Sequence, residues 1–381
     1  MHSSPDRYHG LDALRGIAML LGIVLHAAIP YYPDLPRDSW PTDRNSSEII
    51  RLIMDFIHMW RMPVFFMLAG FFANLIISRK SWKVWWVNRW LRLALPMIIF
   101  FPLTGLSLPW IFEYGWKGDI RFFYSNEGQP HHLWFLWHLM IFVALTMVFS
   151  GPGVVLTIVS EVIEGTRVAF IQTSLVWIKD LMAGIFFRPM VPIGFIFLSL
   201  IINISTWGEL PENLFASGLY FILGYGLYKN GRLLSTIISH WPTYVLTGFL
   251  LFFGYCVLIL TDQTPNYAAS DLDGLRELAK YGIRICCATI FSFGFIGLAE
   301  NRFGAPNKML RFVSDGSYWM YLIHLPVVAF ITFSMFEWNL PVAFKFMIAI
   351  LLTTLVCLIS YKFFVRNTLI GLLLNGHRSR N

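Results

Sequence analysis

Ten stretches of this chain are each long and apolar enough to cross a lipid bilayer, and that limits the fold more than any other feature. A span needs about 20 mostly apolar residues, and such runs lie near 11–30, 49–77, 93–112, 132–150, 190–207, 213–229, 242–261, 277–299, 318–336 and 342–364. Only 13% of the 381 residues are charged, against about 25% in soluble domains. Aromatic residues reach 17%, with 15 Trp and 15 Tyr, as expected where rings populate two membrane–water interfaces. The expected architecture is an all-α, polytopic bundle of about ten transmembrane helices, forming one integral membrane domain over residues 1–381.

The polar breaks between the runs set the expected topology. RKSWKVWWVNRWLR (79–92) carries Arg79, Lys80, Lys83, Arg89 and Arg92 without an acid, and KNGR (229–232), ENRFGAPNKMLR (300–311) and the tail GHRSRN are also basic. TDQTPNYAASDLDG (261–274) is acidic and PDLPRDSWPTDRNSSE (33–48) is mixed. Lys and Arg concentrate in cytoplasmic loops, so both termini are expected in the cytoplasm. Loops 31–48, 113–131, 262–275 and 337–341 are then expected outside. Two further apolar runs in 151–189 are interrupted by Glu161, Glu164, Arg167, Lys179 and Asp180; they read as an interfacial or re-entrant cytoplasmic segment. The first run contains His26 and ends in IPYYP without a small-residue cleavage site, which reads as a retained signal anchor. The expected location is the inner cell membrane, crossed many times.

Several function classes are disfavoured. The net charge of +7 follows topology and forms no basic stripe on a polar domain, so nucleic acid is not an expected partner. Cys256, Cys286, Cys287 and Cys357 all fall inside apolar runs, the pattern of small core or lipid-facing residues and not of a disulfide framework or metal site. Walker loops, GxSxG elbows, HExxH helices and CxxC pairs are all missing from the sequence.

Chemistry concentrates at a few positions. Arg15 and His26 lie eleven residues apart in the first run, about three helical turns, so both fall on nearly one face, roughly 16 Å apart along the axis. Ionisable groups at that depth usually face a bundle interior or wet cavity. His26 suits a general base near neutral pH; a buried histidine bonded to a helix carbonyl is the structural alternative. Asp12, three residues before Arg15, is placed to pair with it. In DFIHMWRMPVFFMLAGFF, Asp55, His58 and Arg61 follow one another at i+3, either as catalytic groups or as an internal salt bridge, and Gly70 allows close helix approach. Arg89 and Arg92 share a helix face and can grip phosphates bidentately, or simply anchor the span on the positive side. HHLWFLWHLM brings His132, Trp134 and Trp137 to an outer vestibule suited to sugar rings, although Trp137 fits an aromatic belt better. SYWMYLIHLPV places Tyr321 one turn before His324, whose simpler role is a structural hydrogen bond.

Together these pieces resemble the acyltransferase-3 family of integral membrane acyltransferases. The likeness covers nearly the whole chain: LDALRGIAML with an arginine, ten residues, then a histidine; NRWLRLALP with its R-x-x-R; HLWFLW; and SYWMYLIHLPV. DFIHMWRMPVFFMLAGFF followed by RxxRLALP is most similar to the osmoregulated periplasmic glucan biosynthesis protein C branch, which succinylates glucans. O-antigen-acetylating members usually carry an acidic pair in the fourth-span motif; HLWFLWHLM has none, so no role tied to that acid is carried over.

The resemblance implies an O-acyltransferase with no permanently bound cofactor. It would move a succinyl or acetyl group from cytosolic acyl-CoA (succinyl-CoA or acetyl-CoA) to a hydroxyl of an extracytoplasmic glucan or other carbohydrate. Arg89 and Arg92 would hold the coenzyme phosphates, and the pantetheine arm would pass Arg15 and Asp12. His26 would deprotonate the acceptor hydroxyl, and Arg61 or His58 would polarise the thioester carbonyl. His132, Trp134, Tyr321 and His324 would meet the acceptor. Direct transfer and relay through an acyl-His26 intermediate both fit this scheme. Two readings from other classes stand beside it: a proton-coupled secondary transporter using Arg15 and His26 as a relay, and a non-catalytic scaffold of polysaccharide assembly.

Overall fold

Helix is the only regular backbone structure among the described residues of the computed structural model, which are 7–33, 35–36, 38–79, 82–125, 131–146, 194, 213–261 and 271–375. In chain order the helices are α1 (His9–Ala28), α2 (Glu48–Arg79), α3 (Trp82–Lys117), α4 (Trp134–Thr146), α5 (Leu214–Lys229) and α6 (Gly231–Ser239). They continue as α7 (Trp241–Leu260), α8 (Asp271–Phe303), α9 (Lys308–Ser334), α10 (Val342–Ser360) and α11 (Leu369–Asn375). Seven are long and apolar enough to cross a membrane: α1 with its extension to Tyr31, α2, α3, α7, α8, α9, and α10 with its extension to Val365. Of the ten expected spans, 132–150 and 213–229 correspond to the shorter helices α4 and α5, while 190–207 and the segment 151–189 lie outside the described residues, Gly194 excepted.

Helix boundaries follow local chemistry. Pro30 lacks the N–H that would bond the His26 carbonyl, so α1 stops and the chain tightens into a 3₁₀ turn over Ile29–Tyr31. His26 is thereby left in the last turn of α1. The third span begins at Trp82, not 93, and takes Arg89 and Arg92 inside α3. The ninth expected span begins at Lys308, not 318, because the Asn307 side chain accepts hydrogen bonds from the Met309 and Leu310 amides at 2.9 and 3.1 Å. That cap satisfies two of the orphan donors at the helix start.

The described residues form two compact units, one drawn from 1–65, 96–133 and 235–381, the other from 66–95 and 134–234. In the first unit α1 is central: α9 runs along it, with α8 and α10 alongside. Met19, Ile23, Val313, Met320 and Cys357 are buried together where α1, α9 and α10 meet. The first half of α2 lies against α8, with the Trp60 and Phe295 rings 4.3 Å apart. By contrast α7 presents Leu250 and Phe253 outward, and α10 presents Leu351 and Leu355. Apolar belts of that extent suit a lipid surface and not water.

In the second unit, the end of α2 and α5 touch backbone to backbone. A Cβ on Gly70 would overlap the Phe221 carbonyl, and one on Gly224 would overlap the Met67 carbonyl. Lipid supplies no hydrophobic drive between helices, so such close van der Waals contact does the joining. Asn74 adds a donor bond from Nδ2 to the Tyr225 carbonyl at 2.7 Å.

Candidate active site

The last turn of α1 brings His26 to a cluster of imidazoles from three separate segments. Its ring lies 5.2 Å from that of His324 on α9, and His324 lies 5.6 Å from His132, in the 3₁₀ turn before α4. Tyr321 closes the group, 5.7 Å from His132 and 6.2 Å from His324. His58, Arg61, His132 and His324 all lie close enough to His26 to act on it electrostatically.

Pro326 accounts for part of this geometry. Having no N–H, it leaves the Leu322 carbonyl of α9 without its helical donor, and His132 Nε2 sits 3.4 Å from that oxygen. In a membrane such freed carbonyls must find other donors. The Tyr321 hydroxyl in turn donates to the His132 carbonyl at 2.6 Å. His324 Nδ1 faces the Met320 and Tyr321 carbonyls at 3.0 and 2.8 Å. Carbonyls only accept, so Nδ1 carries the proton and Nε2 of the neutral ring is a bare acceptor. Among the described residues neither His324 Nε2 nor His26 Nδ1 has a hydrogen-bond partner, and both atoms are buried.

Arg61 is the cation of this group. It is 8% exposed, and its guanidinium nests on α1 at Gly22, one turn before His26. A Cβ on Gly22 would overlap Arg61 Nη1, so a side chain there would require the guanidinium to move. Arg61 Nε is buried without a partner, and among the described residues no carboxylate pairs with the guanidinium. Asp55, two turns earlier on α2, accepts bonds from the Tyr32 and Tyr255 hydroxyls at 3.4 and 3.3 Å.

Arg15 and Asp12 belong to a different setting, toward the start of α1. Arg15 Nη2 donates to Ser314 Oγ at 3.0 Å and lies 3.5 Å from Asp12 Oδ1. Arg7 Nε pairs with Asp12 at 2.6 Å, while Arg7 and Arg311 flank Asp315 at 3.9 and 3.7 Å. A depression beside them is lined by Arg7, His9, Asp12, Asn307 and Arg311. Arg89 and Arg92 stand half-buried, one turn apart on α3, and belong to the second unit. So does Trp134, whose ring meets His138 at 5.1 Å and Phe66 at 6.3 Å.

The family model described as an acyltransferase domain, acyltransferase 3, matches residues 8–362. The chain belongs to this acyltransferase family. Glucans biosynthesis protein C of Escherichia coli K12 is 30% identical over 148 residues, 37% of this chain and 37% of that protein. The proteins of that name from Salmonella paratyphi B and Shigella dysenteriae serotype 1 are 32% identical over 159 residues and 30% over 148. The chain thus spans 37–40% of the length of the curated relatives it matches. No solved structure matches it. With seven apolar helices long enough to span, it is a multi-pass membrane protein of the acyltransferase 3 family.

Two residues at this candidate site were not singled out from the sequence: Gly22, which reads as one more small residue in an apolar helix, and Trp40, in the polar loop after α1. Gly22 stands four residues before His26, and that same-face spacing is a signal a reader could use. Trp40 offers none; its ring lies 6.3 Å from His26 and nearly parallel to it, at 18°.

Proposed function

We propose that this acyltransferase moves an acyl group from cytosolic acyl-CoA to a hydroxyl of an extracytoplasmic glucan or related carbohydrate. The observation that carries this reading is the buried trio His26, His324 and Arg61, each with one polar atom that meets no hydrogen-bond partner among the described residues, in a chain of an acyltransferase family. Leaving such groups buried and unmatched is costly unless a ligand completes them. The name of the relatives, glucans biosynthesis protein C, supports the glucan acceptor.

In this reading both termini lie in the cytoplasm, and the donor enters from the side of Arg15. Arg89 and Arg92 hold the coenzyme phosphates. His26 accepts the proton of the acceptor hydroxyl as its oxygen bonds to the thioester carbon. The tetrahedral intermediate collapses, the C–S bond breaks, and the thiolate leaves with the proton that His26 returns. The products are an ester and free coenzyme. General-base assistance of this kind contributes about 10²–10⁴-fold, and holding both substrates in line contributes more. The unmatched guanidinium of Arg61 supports a donor whose acyl group carries its own carboxylate, which favours succinyl over acetyl.

His26→Ala tests the reading. Mass spectrometry of periplasmic glucans is expected to show acyl substituents lost, by about 10²–10⁴-fold in rate, while the protein still accumulates in the membrane. Undiminished acylation by that variant would refute the assignment and favour a scaffold. Replacing Arg89 and Arg92 together by Ala is expected to weaken acyl-CoA binding about 100-fold, two charge-assisted bonds being lost. Lys at both positions should restore only part, because the planar fork is gone. Unchanged coenzyme affinity in detergent would return the two arginines to topology anchors.

A further inference from the structure

The loop between α1 and α2 is polar, rich in proline and charge, and yet it turns one large ring inward. Trp40 packs edge-on against Phe112 of α3 at 4.6 Å and Phe333 of α9 at 6.3 Å, and its ring lies nearly parallel to that of His26, with centroids 6.3 Å apart. Its indole Nε1 is buried and has no hydrogen-bond partner among the described residues. A buried tryptophan normally finds an acceptor for that N–H. Leaving the donor unmatched costs free energy that an incoming acceptor atom would recover.

Three residues later the same loop is fastened. Asp43 Oδ2 meets Lys345 Nζ of α10 at 2.8 Å, and the two side chains are 0% and 1% exposed. Lys345 also donates to the Phe336 carbonyl at 3.2 Å, and Asp43 Oδ1 accepts from the Asn45 amide at 3.0 Å. The Asp43 and Ser47 amides bond the Pro30 and Tyr31 carbonyls, both at 2.9 Å. A fully buried ion pair adds little net stability over apolar residues of the same size, but losing one partner strands the other charge. Such a pair therefore acts as a register pin. It holds the loop against α10, and with it the Trp40 ring over the end of α1.

We propose that Trp40 is the acceptor-binding residue beside the general base, a stacking platform for a sugar ring, set in place by the buried Asp43–Lys345 pair. The inference rests on the acyl-transfer reading above and adds the acceptor's seat to it. An indole offers what a pyranose requires: a flat apolar face for the C–H side of the ring, and one donor for a sugar oxygen. Next to His26, that seat would bring a sugar hydroxyl within reach of the imidazole. Asp43 and Lys345 are positioning residues; they touch Trp40's loop and not the acceptor.

The test uses the purified full-length protein in detergent, a glucose oligosaccharide as probe, and two variants, Trp40→Ala and Trp40→Phe. Calorimetric titration of the oligosaccharide is expected to show affinity lowered about tenfold in Trp40→Ala, the loss of one well-packed aromatic anchor. Trp40→Phe, which keeps the face and loses the donor, should lose about threefold. With acyl-CoA present, KM for the oligosaccharide should rise in parallel while KM for the donor stays unchanged. Asp43→Asn should raise the same acceptor KM, and Asp43→Asn with Lys345→Met should recover part of it. Acceptor affinity and KM equal to wild type in both Trp40 variants, or no oligosaccharide binding by the wild type, would overturn the proposal. If oligosaccharide binds in a Trp40-dependent way but no acyl group is transferred, the platform stands and the acyl-transfer reading falls.

Discussion

Toward the start of α1, the cations Arg15, Arg7 and Arg311 pair with the carboxylates Asp12 and Asp315 at 2.6–3.9 Å. Three turns further on, His26, His324 and Arg61 are buried with polar atoms that meet no protein partner among the described residues. The first arrangement pairs its carboxylates within the protein and bridges packed helices, with Arg15 Nε alone left unmatched there among the described residues. The second is incomplete as it stands, and an incomplete buried polar group is where a ligand brings the largest free-energy gain. The difference sets a charge-paired end against an end without paired charge along one helix.

Arg61→Met gives the sharpest way to break that contrast. If the guanidinium awaits a substrate, acyl transfer falls about 100-fold or more. The unliganded protein becomes more stable by about 1–4 kcal/mol, since an uncompensated buried charge is replaced by a thioether of similar volume. Thermal unfolding in detergent reads the second quantity; a lower Tm would make Arg61 a structural ion and erase the distinction. Gly22→Ala comes next. Its Cβ displaces the guanidinium, and acyl transfer should fall about tenfold through loss of positioning. The helix itself gains up to about 1 kcal/mol of propensity. Equal loss of stability and activity would mean that Gly22 serves packing alone. The smallest effect is expected at the paired end, where Ser314→Ala removes one bond to Arg15. A stability loss of about 0.5–1.5 kcal/mol with acyl transfer within about threefold of wild type fits the contrast. Abolished transfer in a stable Ser314→Ala protein would show that the two ends act as one unit.

The legible parts of the fold were those where a single segment decides the matter. α7 and α10, 20 and 19 residues long and mostly apolar, follow directly from hydropathy, because lipid requires it. The start of α9 was displaced by ten residues, since its first turns carry Lys308, Arg311, Ser314 and Asp315. Ser314 is matched by Arg15 of α1 and Asp315 by Arg7 just before it, and hydropathy cannot see the match. The eleven-residue step from Arg15 to His26 was readable as one helix face; that its two ends live in opposite electrostatic settings was not.

What the amino-acid order determined alone is the set of apolar spans, the stop at Pro30 that leaves His26 in a last turn, and the missing donor at Pro326. Each depends on residues within a turn or a bilayer's thickness of one another. Only the tertiary structure decided that His26, His132 and His324, separated by 106 and 192 residues, share one cluster. It also decided that Arg61 rests on Gly22 and that a polar loop turns Trp40 inward. Those outcomes depend on which helix faces meet, and close packing between distant segments carries no local sequence period.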